Sequence, residues 1–289
     1  DPLGNNNVLI FSTGGFTGSI LPCSGRTTVT FKSPATNMYF KSNVGGKWGA
    51  ELKFTGYGYL VIHGKADSPI YIYINNDKVY FKDATLFWGK DVRETNRLIQ
   101  EEINDSSVEL ATIGPAGENL VLISSVMFST YSAAARGGIG AVMGSKNLKA
   151  IAVKGNKKIE LNKNEKIKEL ATIARKSIRN DSGFKGLSRY GTAGSVISLT
   201  NIDCYPSRNF QHSRFIDAEK ISGEVLLESG RLTKSTACYS CIIGCHRFTK
   251  TLGHKYDGFA GGPELETISS FGIGPEVNDF DAIVKANEL

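Results

Sequence analysis

The sequence predicts an α+β chain in two parts, a β-rich domain over residues 1–155 followed by a mostly helical, truncated domain over residues 156–289. Three observations carry this. Short runs rich in Val, Ile, Tyr, Phe and Thr recur up to residue 153. After Gly155 the apolar residues change to helical spacing. A cluster of three cysteines, Cys238, Cys241 and Cys245, then sits within the helical part.

Strands are expected at residues 8–11, 27–32, 59–63, 70–74 and 79–81. Asn75-Asn76-Asp77 between the last two is a hairpin signal, because Asn and Asp tolerate the positive φ that tight turns need. A helix interrupts the strands. Asp91 and Glu94 form a capping box, and Leu98, Ile99 and Ile103 supply an apolar stripe. Further strands are expected at 108–113, 121–127 and 150–153. In the second part, Ile167, Leu170, Ala171, Ala174 and Ile178 mark a helix over 162–180. Phe280, Ile283, Val284 and Asn287 mark another, still running when the chain stops at Leu289. No initiator Met precedes Asp1, so the sequence reads as a piece cut at both ends.

Composition excludes several classes. The 34 basic and 28 acidic residues leave a net charge of +6, scattered except for loose lysines around 154–168. A nucleic-acid binder would concentrate that charge in a stripe or patch, so no nucleic-acid partner is expected. A solvated surface is the plain reading, with a few cations available to a phosphate-bearing cofactor. The apolar runs fall far short of the ~18 residues a membrane span needs, and no signal peptide opens the chain. The five cysteines are odd in number and partly clustered, which argues for metal binding over a disulfide framework and for a reducing, cytoplasmic setting.

Cys238-Tyr-Ser-Cys241-Ile-Ile-Gly-Cys245 is the strongest local signal. Three closely spaced thiolates suit a [4Fe–4S] cluster, and the apolar residues between them help to set its potential. Two alternatives stay open: a zinc site using His246 or His254 as a fourth ligand, and structural thiols. A fourth cluster thiolate would be Cys204 or a residue outside this sequence. The order is the reverse of the Cys-x3-Cys-x2-Cys of adenosylmethionine radical enzymes.

Two loops of the first domain look suited to a polyanion. One joins Ser24-Gly25-Arg26 to Ser42-Asn43-Val44-Gly45-Gly46; the other is Ser132-Ala133-Ala134-Ala135-Arg136-Gly137-Gly138-Ile139-Gly140. Glycine lets backbone amides approach an anion, and arginine grips phosphate bidentately. Such loops also serve purely as turns, and neither is a P-loop.

These pieces together resemble the aldehyde:ferredoxin oxidoreductase family. The resemblance runs through Gly25-Arg26, Asn43-Val44-Gly45-Gly46, Gly49-Ala50-Glu51-Leu52-Lys53, the stretch from Ala135 to Ala150, the three clustered cysteines and Gly262-Pro263-Glu264-Leu265-Glu266-Thr267. It implies a tungsten atom, rarely molybdenum, held by two pterin dithiolenes on the β domain, a nearby [4Fe–4S] cluster, and oxidation of a small aldehyde with electrons passed to ferredoxin. It further implies Arg26 between pterin and cluster. Asn43, Gly45, Gly46, Ala133, Ala135, Arg136 and Gly137 would line the pterin phosphates or a bridging Mg2+. Cys238, Cys241 and Cys245 would be three cluster ligands, and Glu266, with Glu264 beside it, a proton-handling carboxylate. The acids also suit a helix amino terminus on ordinary dipole grounds. The family commonly has Arg where Ser132 stands and Gly where Ala135 stands. By the same resemblance about fifty residues would precede Asp1, and a third domain with the fourth cysteine and a catalytic histidine would follow Leu289. A relative that reduces an acid or an aromatic thioester, and a zinc-stabilised binding module, are the alternative functions. A homodimer is one option for assembly.

Overall fold

The computed structural model describes residues 1–289 apart from Glu160 and His254. The chain divides into two compact units, Asp1–Ala171 with Cys238–Cys241, and Thr172–Ala237 with Ile242–Leu289. The expected α+β class holds. Among the described residues no helix is long and apolar enough to cross a membrane.

In the first unit, β1 (Leu9–Thr13), β2 (Thr27–Lys32), β3 (Tyr39–Val44) and β4 (Tyr59–Ile62) make an antiparallel sheet in the order β3-β2-β1-β4. A six-stranded sheet follows from β5 (Ile70–Asn75), β6 (Lys78–Asp83), β7 (Glu109–Thr112), β8 (Val126–Phe128), β9 (Ser132–Ala134) and β10 (Leu148–Lys154), ordered β6-β5-β10-β7-β8-β9. There β10 runs parallel to β5 and the other pairs are antiparallel.

The period-2 pattern of the strands decides what each face meets. Leu9, Phe11, Val29, Phe31 and Val44 from the first sheet share one core with Ile72, Ile74, Val126, Phe128, Ile151 and Val153 from the second. Trp48, which opens the helix Trp48–Phe54, joins the sheets. Its ring lies 5.5 Å from Phe11 and 5.3 Å from Phe128, and its indole N–H donates to Ile151 O at 3.1 Å. The second sheet's other face is covered by the helix Val92–Ile103, where Ile99 packs with Tyr71, Val108 and Leu110. The Asp91 side chain caps that helix by accepting from Glu94 N–H at 2.8 Å, as the sequence indicated. The six-stranded sheet is thus covered on both faces. The four-stranded sheet keeps one face partly open, and the candidate site is built on it.

The second unit has helices Asn164–Asn180 (shared across the division), Ser182–Tyr190 and Phe280–Glu288. It also holds a three-stranded antiparallel sheet of β11 (Leu232–Thr236), β12 (His246–Lys250) and β13 (Phe259–Gly261). Asp281, 8% exposed, ties the last helix to this sheet. It accepts from Arg231 Nε at 2.8 Å and from the N–H groups of Leu252 and Gly253, the latter at 2.7 Å. Burial alone would raise its carboxyl pKa, but Arg231 and the two amides outweigh it and hold the value below the ordinary range. A depressed folded pKa stabilises above the unfolded value near ~3.9, and that contribution is lost as pH falls through the folded value. Asp281→Ala leaves the half-buried Arg231 without this partner and is expected to cost about 3 kcal/mol, at the low end for breaking a buried pair. Hydrogen exchange at Leu252 and Gly253 in the full-length protein checks this, with protection falling sharply in the variant.

Candidate cofactor platform and cysteine loop

The open face is polar by alternation. Cross-strand pairing places Tyr59, Ser12, Thr28 and Asn43 in one row across the four strands, with Val61, Ile10, Thr30 and Lys41 in the next. Thr28 Oγ1 donates to Asn43 Oδ1 at 2.7 Å, which fixes the carboxamide and leaves its NH2 as an outward donor on an exposed side chain. Arg26 is exposed just before β2, two residues from Thr28. Its loop is tied down by Thr17 Oγ1, which donates to Ser24 O at 2.9 Å. Arg26, Lys41 and Asn43 therefore present cationic and amide donors along one side of the sheet.

A second loop lies along the same edge. Ser42 Oγ accepts from Arg136 N–H at 3.5 Å, and Ser33 Oγ donates to Gly137 O at 2.7 Å. Gly137 and Gly138 adopt φ of +79° and +76°. A Cβ on Gly137 would lie 2.5 Å from the Phe40 ring, and one on Gly138 2.2 Å from Leu122 O. Backbone conformation and space both require glycine there. Ala133, Ala135 and Arg136 remain exposed, so the loop offers small side chains, backbone and one guanidinium.

The segment Cys238–Cys241 packs against both arms of the first glycine loop, at Gly25 and at Gly45-Gly46, within the first unit. Gly46 N–H donates to Cys238 Sγ at 3.2 Å, and Tyr239 N–H donates to Gly46 O at 3.0 Å. A Cβ on Gly45 would sit 2.6 Å from Cys238 Sγ. On the other side, a Cβ on Gly25 would lie 3.0 Å from Tyr239 O. The Tyr239 ring meets Phe54 edge-on at 5.5 Å. An N–H directed at a thiolate sulfur is the contact that tunes an iron–sulfur ligand. Burial, with the charges of Glu109 and Cys238, pushes the Tyr131 phenol up to about 12, which keeps it a neutral donor near the loop.

Cys245, Glu264 and Glu266 belong to the second unit. There Arg247 is 1% exposed and donates through Nη1 to Gly244 O at 2.7 Å and through Nη2 to Ser188 O at 2.6 Å. This fixes the backbone beside Cys245, and burial lowers the Arg247 pKa from its usual value. A Cβ on Gly191 would lie 2.6 Å from Cys245 O. Glu264 holds His246 Nδ1 at 2.9 Å and accepts from Thr192 Oγ1 at 2.5 Å. Both Glu264 oxygens are thus engaged, whereas Glu266 is exposed in the first turn of the short helix Leu265–Ile268. His254 lies outside the described residues, and Cys204 is exposed after the helix Ser195–Asn201. Among the described residues no three His, Cys, Asp or Glu side chains converge on one point that could hold a single metal ion.

The residues singled out in the sequence therefore fall into two groups. Arg26, Asn43, Gly45, Gly46, Ala133, Ala135, Arg136 and Gly137 gather with Cys238 and Cys241 in the first unit, and Cys245, Glu264 and Glu266 lie in the second. Sequence reasoning missed Cys23, whose Sγ is 3.7 Å from Cys241 Sγ, and the buried Arg247. Cys23 directly precedes the Ser24-Gly25-Arg26 loop, but nothing local indicates its distant partner.

Comparison with known proteins decides the family. The family model described as aldehyde ferredoxin oxidoreductase, N-terminal domain, matches residues 1–155, and that for domains 2 & 3 matches residues 169–289. The chain belongs to the aldehyde ferredoxin oxidoreductase family. A tungsten-containing aldehyde ferredoxin oxidoreductase of Pyrococcus horikoshii is 43% identical over all of this chain and 47% of its own length. A more distant relative is the WOR-like subunit of an aliphatic sulfonate oxidoreductase of Pyrococcus furiosus. It is 31% identical over all of this chain and 48% of its own length. The chain thus spans about half the length of the curated relatives it matches. Among solved structures, the active-site complex BamBC of benzoyl coenzyme A reductase, with 1,5-dienoyl-CoA, superposes with a TM-score of 0.79. It is 28% identical, and the match covers all of this chain and 46% of that one.

Proposed function

We propose that this chain is the pterin-binding and three-cysteine part of a tungsten enzyme that oxidises aldehydes to carboxylic acids. Electrons would leave through a [4Fe–4S] cluster to a ferredoxin. The observation that carries this reading is the packing of Cys238–Cys241 against Gly25 and against Gly45-Gly46 at the edge of the open platform, with Gly46 N–H on Cys238 Sγ. A redox relay beside a cofactor platform needs that adjacency.

The residues fit both groups. Exposed Arg26, Asn43 and Arg136, with backbone made accessible by Gly45, Gly46 and Gly137, suit a bis-pterin bearing phosphates. Ala133 and Ala135 would leave room for a bridging Mg2+. Cys238, Cys241 and Cys245 would supply three of the four thiolates that a [4Fe–4S] cluster takes. When bound, the metal–pterin group would take two electrons from the substrate and the cluster would pass them on singly, chemistry that no side chain supplies. The balance is aldehyde plus water giving carboxylic acid, two protons and two electrons. Glu266 is the exposed carboxylate able to accept a proton from water. Glu264, held by His246 and Thr192, positions the turn that carries it. A reducing cytoplasmic setting would keep Cys238, Cys241 and Cys245 as thiolates able to bind metal.

A second reading, a relative working on another substrate, is favoured by the likeness to the sulfonate and benzoyl coenzyme A enzymes. Reduction of a viologen dye by the full-length protein, purified without oxygen, separates the two. The first reading expects short aldehydes to drive it; dye reduction by a sulfonate alone would favour the second. Arg136→Ala in the same protein is expected to weaken pterin retention by roughly ten- to a hundredfold, since a bidentate phosphate contact contributes about 1.5–3 kcal/mol. Unchanged pterin content would mean the loop is only structural.

A further inference from the structure

Cys23 and Cys241 are separated by 218 residues in sequence, yet their Sγ atoms lie 3.7 Å apart. The approach is held by backbone. Cys23 N–H donates to Ser240 O at 3.3 Å, and both Cys23 and Ser240 adopt left-handed φ, +60° and +54°. Closing the sulfurs from 3.7 Å to a disulfide length near ~2.05 Å needs an approach of about 1.7 Å, within reach of side-chain rotation. Cys23 is exposed and Cys241 half-buried, so an oxidant from solvent meets Cys23 first. Cys238, the other thiol of this segment, already accepts the Gly46 N–H.

We propose that Cys23 and Cys241 form a disulfide in the iron-free protein, and that this bond withholds Cys241 from cluster assembly until a thiol reductant opens it. The oxidant is a small-molecule disulfide such as oxidised glutathione. The Cys23 thiolate attacks one of its sulfurs, the S–S bond breaks, and one glutathione thiolate leaves. The Cys241 thiolate then attacks the Cys23 sulfur of the mixed disulfide, forming the protein bond and expelling the second glutathione. The protein pair loses two electrons to the small disulfide, and the two thiol protons end on two glutathione molecules. The bond itself stands on the geometry; its effect on assembly rests on Cys241 being a cluster ligand, as proposed above.

The test uses the full-length protein, stripped of iron with a chelator under dithiothreitol, desalted, and exposed to oxidised glutathione. Remaining thiols are alkylated and the peptides mapped by mass spectrometry. The Cys23 and Cys241 peptides should be joined as the main disulfide, and iron uptake during reconstitution should be about fivefold lower than after dithiothreitol. After the same oxidation, Cys23→Ser should take up about threefold more iron than the parent. Cys241 found chiefly reduced, or joined to Cys238 or Cys245, would overturn the proposal, as would a Cys23→Ser protein blocked as fully as the parent. If the link maps as expected but the reduced parent takes up no iron, the disulfide stands and the cluster assignment falls.

Discussion

In the full-length protein purified without oxygen, Cys238→Ser is expected to lose most of its iron and acid-labile sulfide, where the parent holds about four of each per chain. The expectation follows from the place of Cys238 in the fold. Its sulfur receives the Gly46 N–H at 3.2 Å, and its segment is clamped between Gly25 on one side and Gly45 and Gly46 on the other. A serine keeps the shape of the loop but replaces a soft thiolate with a hard, poorly ionised oxygen. Cys238 is not a member of the buried β core of Trp48, Phe11 and Phe128, so the first unit should stay folded while the metal is lost. Iron retained at the parental level would remove Cys238 from the ligand set.

The second large effect is expected from Gly45→Ala. The added methyl would sit 2.6 Å from Cys238 Sγ, closer than carbon and sulfur can approach, so the cysteine segment must move. Overpacking of this kind costs about 1–3 kcal/mol, and here the strain falls on a ligand rather than on the core. Iron per chain should drop by about half or more, with the far-ultraviolet spectrum unchanged. Gly15→Ala is the control, because a Cβ there meets nothing within 4 Å. Equal iron content in both variants would show that the Gly45 contact does not govern the loop.

Local chemistry made much of the fold legible. β2 spans Thr27–Lys32 as expected, because its residues alternate cleanly between core and open face. The Asn75-Asn76-Asp77 hairpin forms with Asn76 at φ +53° and Asn75 paired to Lys78. Misses have physical causes. The expected glycine loop takes in Ser42–Val44, the end of β3, because Ser42 and Asn43 lack a strand-like composition; pairing with β2 makes the strand. The strand expected over 121–127 shrinks to Val126–Phe128, since Val121, Leu122 and Ile123 stay exposed and have no core to enter. The sheet of β11, β12 and β13 in the helical part escaped notice because strands such as Leu232–Thr236 are short and polar.

The candidate site was legible in a different way. Gly45 and Gly137 stood out as residue types, but the reason for glycine at each is a distant neighbour, Cys238 in one case and Phe40 in the other. Glu264 and Glu266 looked alike in sequence. Only the contacts separate them, one clamped by His246 and Thr192 and the other exposed. Cys23 needed the fold altogether, since its partner lies on a segment far along the chain.

The central claim, a tungsten-pterin platform served by an iron–sulfur loop, is tested most directly by elemental analysis. Full-length protein would be purified anaerobically from cells grown with tungstate, and tungsten, iron, acid-labile sulfide and zinc measured per chain. The account predicts stoichiometric tungsten, with iron and sulfide equal at about four each. Stoichiometric zinc, without iron, sulfide or tungsten, would contradict it and leave a zinc-stabilised binding module in its place.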